Sequence, residues 1–385
     1  IIPKCDTLDY RTLWSRHESY LYRASAVKAD SQFYPVYEWN GLYSFTPLAL
    51  LFAKKKLLIN SDFTTALAEP NNDVSRPNPL IDREIKRLGG PPSLSLRLKD
   101  GPTFVTSFAA ALKADVRAAE KANPGKTNVL LCGGKDSLNL LLLDWLNPVI
   151  AYSAEPNFPL VEEFVRKNHL DIEVRILSDK RVESLEARQI AEGFCLVDLN
   201  NWKWTGHLHE IAGDYDHELI FWKGQVADLF LTDYWRSYTS SRNPFYRKSR
   251  KAYQKIARFA PFLDGPLRAH ILSDLAQSIW ERSGVLQGAH MGFLRSICDC
   301  LVLSAYHGQK VEALWTSLEF SRVTFHDVRG EIGRVLKGAE VWYPDENPSP
   351  RSEFSRDAWR KPEAFSEAVK ALGIDVESTD YMPVR

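Results

Sequence analysis

Residues 128–137 read Asn-Val-Leu-Leu-Cys-Gly-Gly-Lys-Asp-Ser, and these residue types in this order suit a phosphate site. The apolar run 128–132 reads as a buried strand that ends in Gly133 and Gly134. Without a Cβ, the two glycines let the backbone approach an anion closely, and the helical segment that follows points unpaired N–H groups at the same place. Asp136 supplies a carboxylate able to hold Mg2+, and Ser137 a hydroxyl able to donate to a phosphate oxygen. Lys135 either meets phosphate or is simply solvated. The pattern is neither the Walker loop nor the dinucleotide fingerprint, since G-x-x-x-x-G-K-[ST] and G-x-G-x-x-G are both absent.

A second stretch repeats the arrangement. Residues 218–222 form a short apolar run, Lys223 and Gly224 make a turn, and a helical segment opens on Asp228. The elements that must carry both loops follow from hydrophobic patterning. Strands are expected at 128–132, 148–153, 172–177 and 218–222, with helices at 105–122, 137–146, 160–168 and 184–193. Strands alternating with helices of this length predict an α/β fold with a doubly wound parallel sheet, in which ligands bind beyond the carboxyl ends of the strands. Both loops leave strands at that edge. The N-terminal part has a different texture, with short strands expected at 33–39, 42–45 and 55–59, an exposed loop at 68–79, a break at 89–92 and a hairpin strand over 93–101. Residues 236–385 read as mainly helical, with candidates between 247 and 320, a helix at 330–337 and a loop at 345–352.

Residues 132–137 resemble the S-G-G-x-D-S pyrophosphate loop (PP-loop) of the ATP pyrophosphatase families, which split ATP between its α and β phosphates. Cys132 stands where the first serine usually sits. Residues from Gly224 onward resemble the second signature of the asparagine synthetase family, G-x-G-A-D-E-[LI]-F. Gln225 fills the variable slot, Val226 replaces the second glycine, Leu229 replaces the glutamate, and Asp228 matches. Two such loops in this order, about ninety residues apart, are more specific than either alone.

The resemblance implies an adenine nucleotide α-hydrolase-like sheet and an ATP-dependent C–N ligase. Cys132, Gly133, Gly134, Lys135, Ser137, Ser153, Lys223 and Gly224 would line the ATP and pyrophosphate site, and Asp136 and Asp228 would share Mg2+. A substrate carboxylate, or an amide or ureido oxygen, would attack the α-phosphorus to give an adenylate, and an amine would displace AMP. The implied partner is a small-molecule or peptide substrate of natural-product biosynthesis. The family also carries a late segment, roughly Pro-x-x-x-Arg-x-Lys-x-Gly, that sets a lysine beside the reacting phosphate. The nearest stretch here runs from Tyr343 and Pro344 to Arg351 and has no lysine there, so Arg351 is the candidate catalytic cation and Lys337 a weaker one. The N-terminal glutaminase of the family needs a cysteine with a free α-amine, whereas Cys5 lies four residues inside. Residues 1–100 are therefore expected to form a reduced α+β domain, a remnant or platform without glutamine hydrolysis, and residues 101–385 the synthetase domain.

Composition bounds the alternatives. The chain has 385 residues, 44% hydrophobic and 25% charged, which excludes disordered and fibrous classes. Forty-nine basic and 49 acidic residues cancel, which argues against a general polyanion binder. An aromatic and basic run over 234–251 leaves a local nucleic-acid or acidic-peptide contact open, against the reading of a solvated helix with its aromatics packed inward. A PP-loop enzyme acting on tRNA or a nucleobase, and a nucleotide-binding relative without catalysis, therefore stay as alternatives. The five cysteines at 5, 132, 195, 298 and 300 follow no framework spacing and read as buried thiols of a reducing cytoplasm. His207, His209 and His217 lie near Asp214 and Asp216, but two-residue spacing does not aim two imidazoles at one ion. No apolar run has the length of a membrane span, and a cytoplasmic protein without membrane contact is expected.

Overall fold

A computed structural model describes residues 4–9, 21–28, 36–44, 47–60, 82, 84–88, 101–177, 203–216, 218–224, 298, 300–315, 328–345, 367 and 370–379. Six strands lie in the N-terminal part: β1 (Lys4–Asp9), β2 (Tyr22–Lys28), β3 (Val36–Trp39), β4 (Leu42–Ser44), β5 (Lys56–Asn60) and β6 (Lys86–Leu88). Helix α1 (Pro47–Lys54) precedes β5. Strands β1, β2, β4, β3 and β6 form one sheet in that order, with β1 and β2 parallel and the other pairs antiparallel. The β3–β4 hairpin turns on Asn40 and Gly41, both with positive φ, which matches the twist of the flanking strands.

The central sheet holds β7 (Thr127–Leu131), β8 (Val149–Ala154), β9 (Glu173–Leu177), β10 (Leu219–Lys223) and β11 (Leu301–Ser304). Its order is β11-β10-β7-β8-β9, and all four pairings are parallel. The fold is thus mixed α/β around a five-stranded parallel sheet. Strands β7, β10 and β11 are buried almost throughout, as expected of continuous apolar runs covered on both faces. Helices α2 (Gly101–Ala122), α3 (Lys135–Leu138), α4 (Phe158–Lys167), α5 (Lys203–Asp214), α6 (Gln309–Trp315) and α7 (Arg329–Lys337) complete the described helices. A last strand, β12 (Asp375–Thr379), pairs in parallel with β5 of the N-terminal part.

One apolar core joins these pieces. Trp222, Tyr306, Phe108, Phe164 and Phe221 are its largest fully buried side chains, and Tyr22 and Val36 of the N-terminal sheet belong to it. A buried polar chain crosses the start of β7: Trp222 Nε1 donates to Asn128 Oδ1 (2.7 Å), and Asn128 Nδ2 donates to Glu120 Oε1 (2.7 Å). The same carboxylate oxygen accepts the amides of Leu146 and Asn147 at 3.0 Å each. Glu120 thereby ties α2 to the loop that enters β8.

The four expected strands of the central sheet lie within one residue of their observed bounds, and the helices expected at 105–122, 160–168 and 330–337 are present. Two expectations need correction. The helix expected at 137–146 is the single turn α3 followed by a 3-10 turn, Asn139–Leu142. Gly101, expected in a hairpin turn, opens α2. Within the C-terminal part, expected to be mainly helical, β11 supplies the fifth strand of the central sheet and β12 pairs with β5. The expected loop at 68–79, break at 89–92, hairpin strand up to residue 100, helix at 184–193 and basic run at 234–251 lie outside the described residues.

Candidate functional site

Strand order fixes where a ligand can bind. From β7 the chain proceeds through β8 to β9 on one side, while β10 and β11 lie on the other. The strand order reverses between β7 and β10, the place at the carboxyl edge where ligands bind in open parallel α/β sheets. Leu131 is opposite Lys223 in register, so the turn at Cys132–Gly134 and the turn at Gly224 start side by side. Cys132, Gly133, Gly134, Ser137, Lys223 and Gly224 are therefore brought to one edge, and Ser153 reaches the same edge at the end of β8. Asp136 and Lys135 sit in α3, but their side chains are outside the described residues, as are Asp228 and Arg351 altogether.

The turn after β7 converges on a single oxygen. Gly133 N–H donates to Ser137 Oγ at 3.1 Å and Gly134 N–H donates to it at 3.4 Å. The Ser137 hydroxyl in turn donates to Gly134 O at 2.8 Å. Two successive backbone amides aimed at one oxygen form a nest, the concavity that binds anions in phosphate loops. The Ser137 hydroxyl turns inward and supplies the oxygen that the nest holds.

The thiol of Cys132 is fully buried, and burial pushes it up to about 12, with a hydrogen bond to Ser137 pulling the other way. Its backbone N–H continues the sheet by donating to Tyr152 O at 2.8 Å. Ser153 lies one residue beyond the Leu131–Tyr152 pair, is fully buried, and its Oγ has no hydrogen-bond partner among the described residues. Lys223 is buried on the sheet face of Leu131 and Ser304.

Sequence reasoning missed Asn157. A cis Glu155–Pro156 bond follows β8, and Asn157 then opens α4 and donates from Nδ2 to Gly133 O at 2.7 Å. Only the Asx type at a helix start signals it in the sequence, and that signal points to helix capping instead.

The late segment divides in two. Lys337 Nζ donates to Asn168 Oδ1 and to Glu340 O, each at 3.1 Å. Asn168 closes the end of α4 opposite Asn157, about 16 Å away along the helix axis. The ammonium of Lys337 is therefore held far from the glycine turn, which corrects its candidacy as a catalytic cation. Tyr343 does reach the neighbourhood: its hydroxyl donates to Asn139 Oδ1 at 2.5 Å, two residues beyond Ser137. Asn139 Nδ2 also donates to Arg329 O at 3.0 Å, so the start of α7 and the segment after it are tied to the chain leaving the glycine turn.

No group of three or more metal-ligating side chains occurs among the described residues. His207 and His209 lie on α5. No described helix is long and apolar enough to cross a membrane. A scan against models of protein families and a search of curated proteins each find no match to the chain.

Proposed function

We propose that the chain is an asparagine-synthetase-like, ATP-dependent C–N ligase whose glycine turn grips the departing pyrophosphate of ATP. The observation that carries this reading is the convergence of the Gly133 and Gly134 amides on one oxygen, at the carboxyl edge where β7 and β10 part. Paired amides at the reversal point of a parallel sheet have the donor chemistry of a phosphate cradle. The order β11-β10-β7-β8-β9 also agrees with an adenine nucleotide α-hydrolase-like sheet, and the Tyr343–Asn139 bond brings the start of the late segment to the chain just beyond the turn.

In this reading the glycine amides bind and orient the pyrophosphate, with Ser137 turning outward to donate to it. Asp136 and Asp228 would hold Mg2+, which supplies charge neutralisation on the leaving group. Buried strand ends exclude water from the reacting phosphorus, and catalysis comes from positioning and electrostatics more than from a nucleophilic side chain. The substrate contributes a carboxylate or amide oxygen, and an amine completes the amide or related bond in small-molecule or peptide biosynthesis. Arg351 is the candidate for a late cation.

A second reading, nucleotide binding without turnover, is favoured by Ser137 satisfying the turn from within. ATP–pyrophosphate exchange across a panel of small acids separates the two, and tRNA-dependent release of pyrophosphate would favour a nucleic-acid substrate instead. The ligase reading expects acid-dependent exchange that Asp136→Ala lowers by orders of magnitude in a folded protein. ATP binding with no exchange would contradict it.

A further inference from the structure

Asn157 occupies the N-cap position of α4, where asparagine is among the most favoured residues because its side chain accepts an amide of the first turn. Here it makes no such bond. Its Nδ2 donates instead to Gly133 O at 2.7 Å, and its Oδ1 is buried without a partner among the described residues. The residue is 6% exposed, so neither departure is relieved by solvent. A side chain that forgoes its cap and leaves an acceptor unsatisfied is held where it is by the one bond it does make.

That bond acts on the peptide that carries the nest. Gly133 O belongs to the same peptide unit as Gly134 N–H, one of the two amides aimed at Ser137 Oγ. Fixing the carbonyl fixes the plane, and with it the direction of the amide. Glycines on either side leave this peptide few steric restraints of its own.

We propose that Asn157 is the positioning residue of the glycine turn, holding the Gly133–Gly134 peptide so that its amide stays aimed at a bound oxyanion. The proposal rests on the reading of the turn as a phosphate cradle. Asn157 itself contacts the backbone of the turn and not the reacting atoms.

The test titrates the full chain with inorganic pyrophosphate in the presence of Mg2+, comparing wild type, Asn157→Ala and Asn168→Ala. Asn168 lies at the other end of α4, where it bonds Trp342 and Lys337, so its loss perturbs the same helix away from the turn. Asn157→Ala should bind pyrophosphate about tenfold more weakly, as for loss of one hydrogen bond, and Asn168→Ala should match wild type. Equal binding by Asn157→Ala, or parallel weakening by both variants, overturns the assignment. If Asn157→Ala does not fold, the near-isosteric Asn157→Asp takes its place, with the same loss expected at pH 8. Amide hydrogen exchange at Gly133 and Gly134 is read on the same proteins. If wild type does not bind pyrophosphate, the cradle reading fails. Asn157 then keeps its positioning role only if these two amides exchange faster in its variant and not in Asn168→Ala.

Discussion

Leu131 and Lys223 stand opposite each other in register on adjacent parallel strands, although β8, β9 and their helices separate them in the chain. The two turns that follow them therefore begin side by side at the carboxyl edge of the sheet. The same register places the buried Cys132 at the end of β7.

Cys132 should be chemically silent. With its thiol pushed up to about 12, only about one part in ten thousand is thiolate at pH 8. Native protein treated with iodoacetamide and mapped by mass spectrometry should show no label at Cys132, Cys298 or Cys300, all three buried, and full labelling once unfolded. Rapid native labelling at Cys132 would mean that the turn opens far more than its burial implies.

Asp115 should make stability depend on pH. Its carboxylate accepts the amides of Lys310 and Val311 at the start of α6, while burial raises its pKa by more than these bonds and the Lys310 charge lower it. A carboxyl whose folded value lies above its unfolded value contributes stability below the unfolded value and loses it as pH rises through the folded one. Denaturant titrations from pH 3 to 7 should therefore show Asp115→Asn gaining on wild type as pH rises, since its amide oxygen can still accept. An unchanged difference across that range would refute this.

Tyr343 and Gly333 should behave as one unit. A Cβ on Gly333 would collide with the Tyr343 hydroxyl and crowd Asn139 Oδ1, so the glycine is what lets the late segment reach Asn139. Tyr343→Phe keeps the ring against Phe164 and should cost about 1 kcal/mol, the value of one buried hydrogen bond. Gly333→Ala should cost more, about 1–3 kcal/mol, by overpacking. Because both act on the same contact, the double variant measured by denaturant melts should fall well short of their sum.

Strands β7 and β10 were legible because they are continuous buried apolar runs that lead into glycine turns, and their bounds follow to within a residue. Leu301–Ser304 was not, since three buried apolar residues and a serine among helical candidates carry no period that separates strand from helix. The helix after the turn was overread for a related reason: the leucines at 140–143 extend the apolar pattern, but they fill a 3-10 turn and its exit. Gly133, Gly134 and Ser137 were readable as a loop, whereas the inward turn of the Ser137 hydroxyl depends on local geometry that residue types do not encode. Asn157 escaped notice because its partner is a backbone carbonyl 24 residues away. The place of Lys337 was not legible, since sequence distance from Tyr343 says nothing about which end of α4 it meets.

A crystal structure of the full chain with a non-hydrolysable ATP analogue and Mg2+ tests the central claim most directly. The β and γ phosphates should lie against the Gly133 and Gly134 amides, with Ser137 Oγ displaced toward them and Asp136 and Asp228 on the metal. A nucleotide bound elsewhere, or phosphates turned away from Asp228 while Ser137 Oγ keeps both glycine amides, would contradict the account.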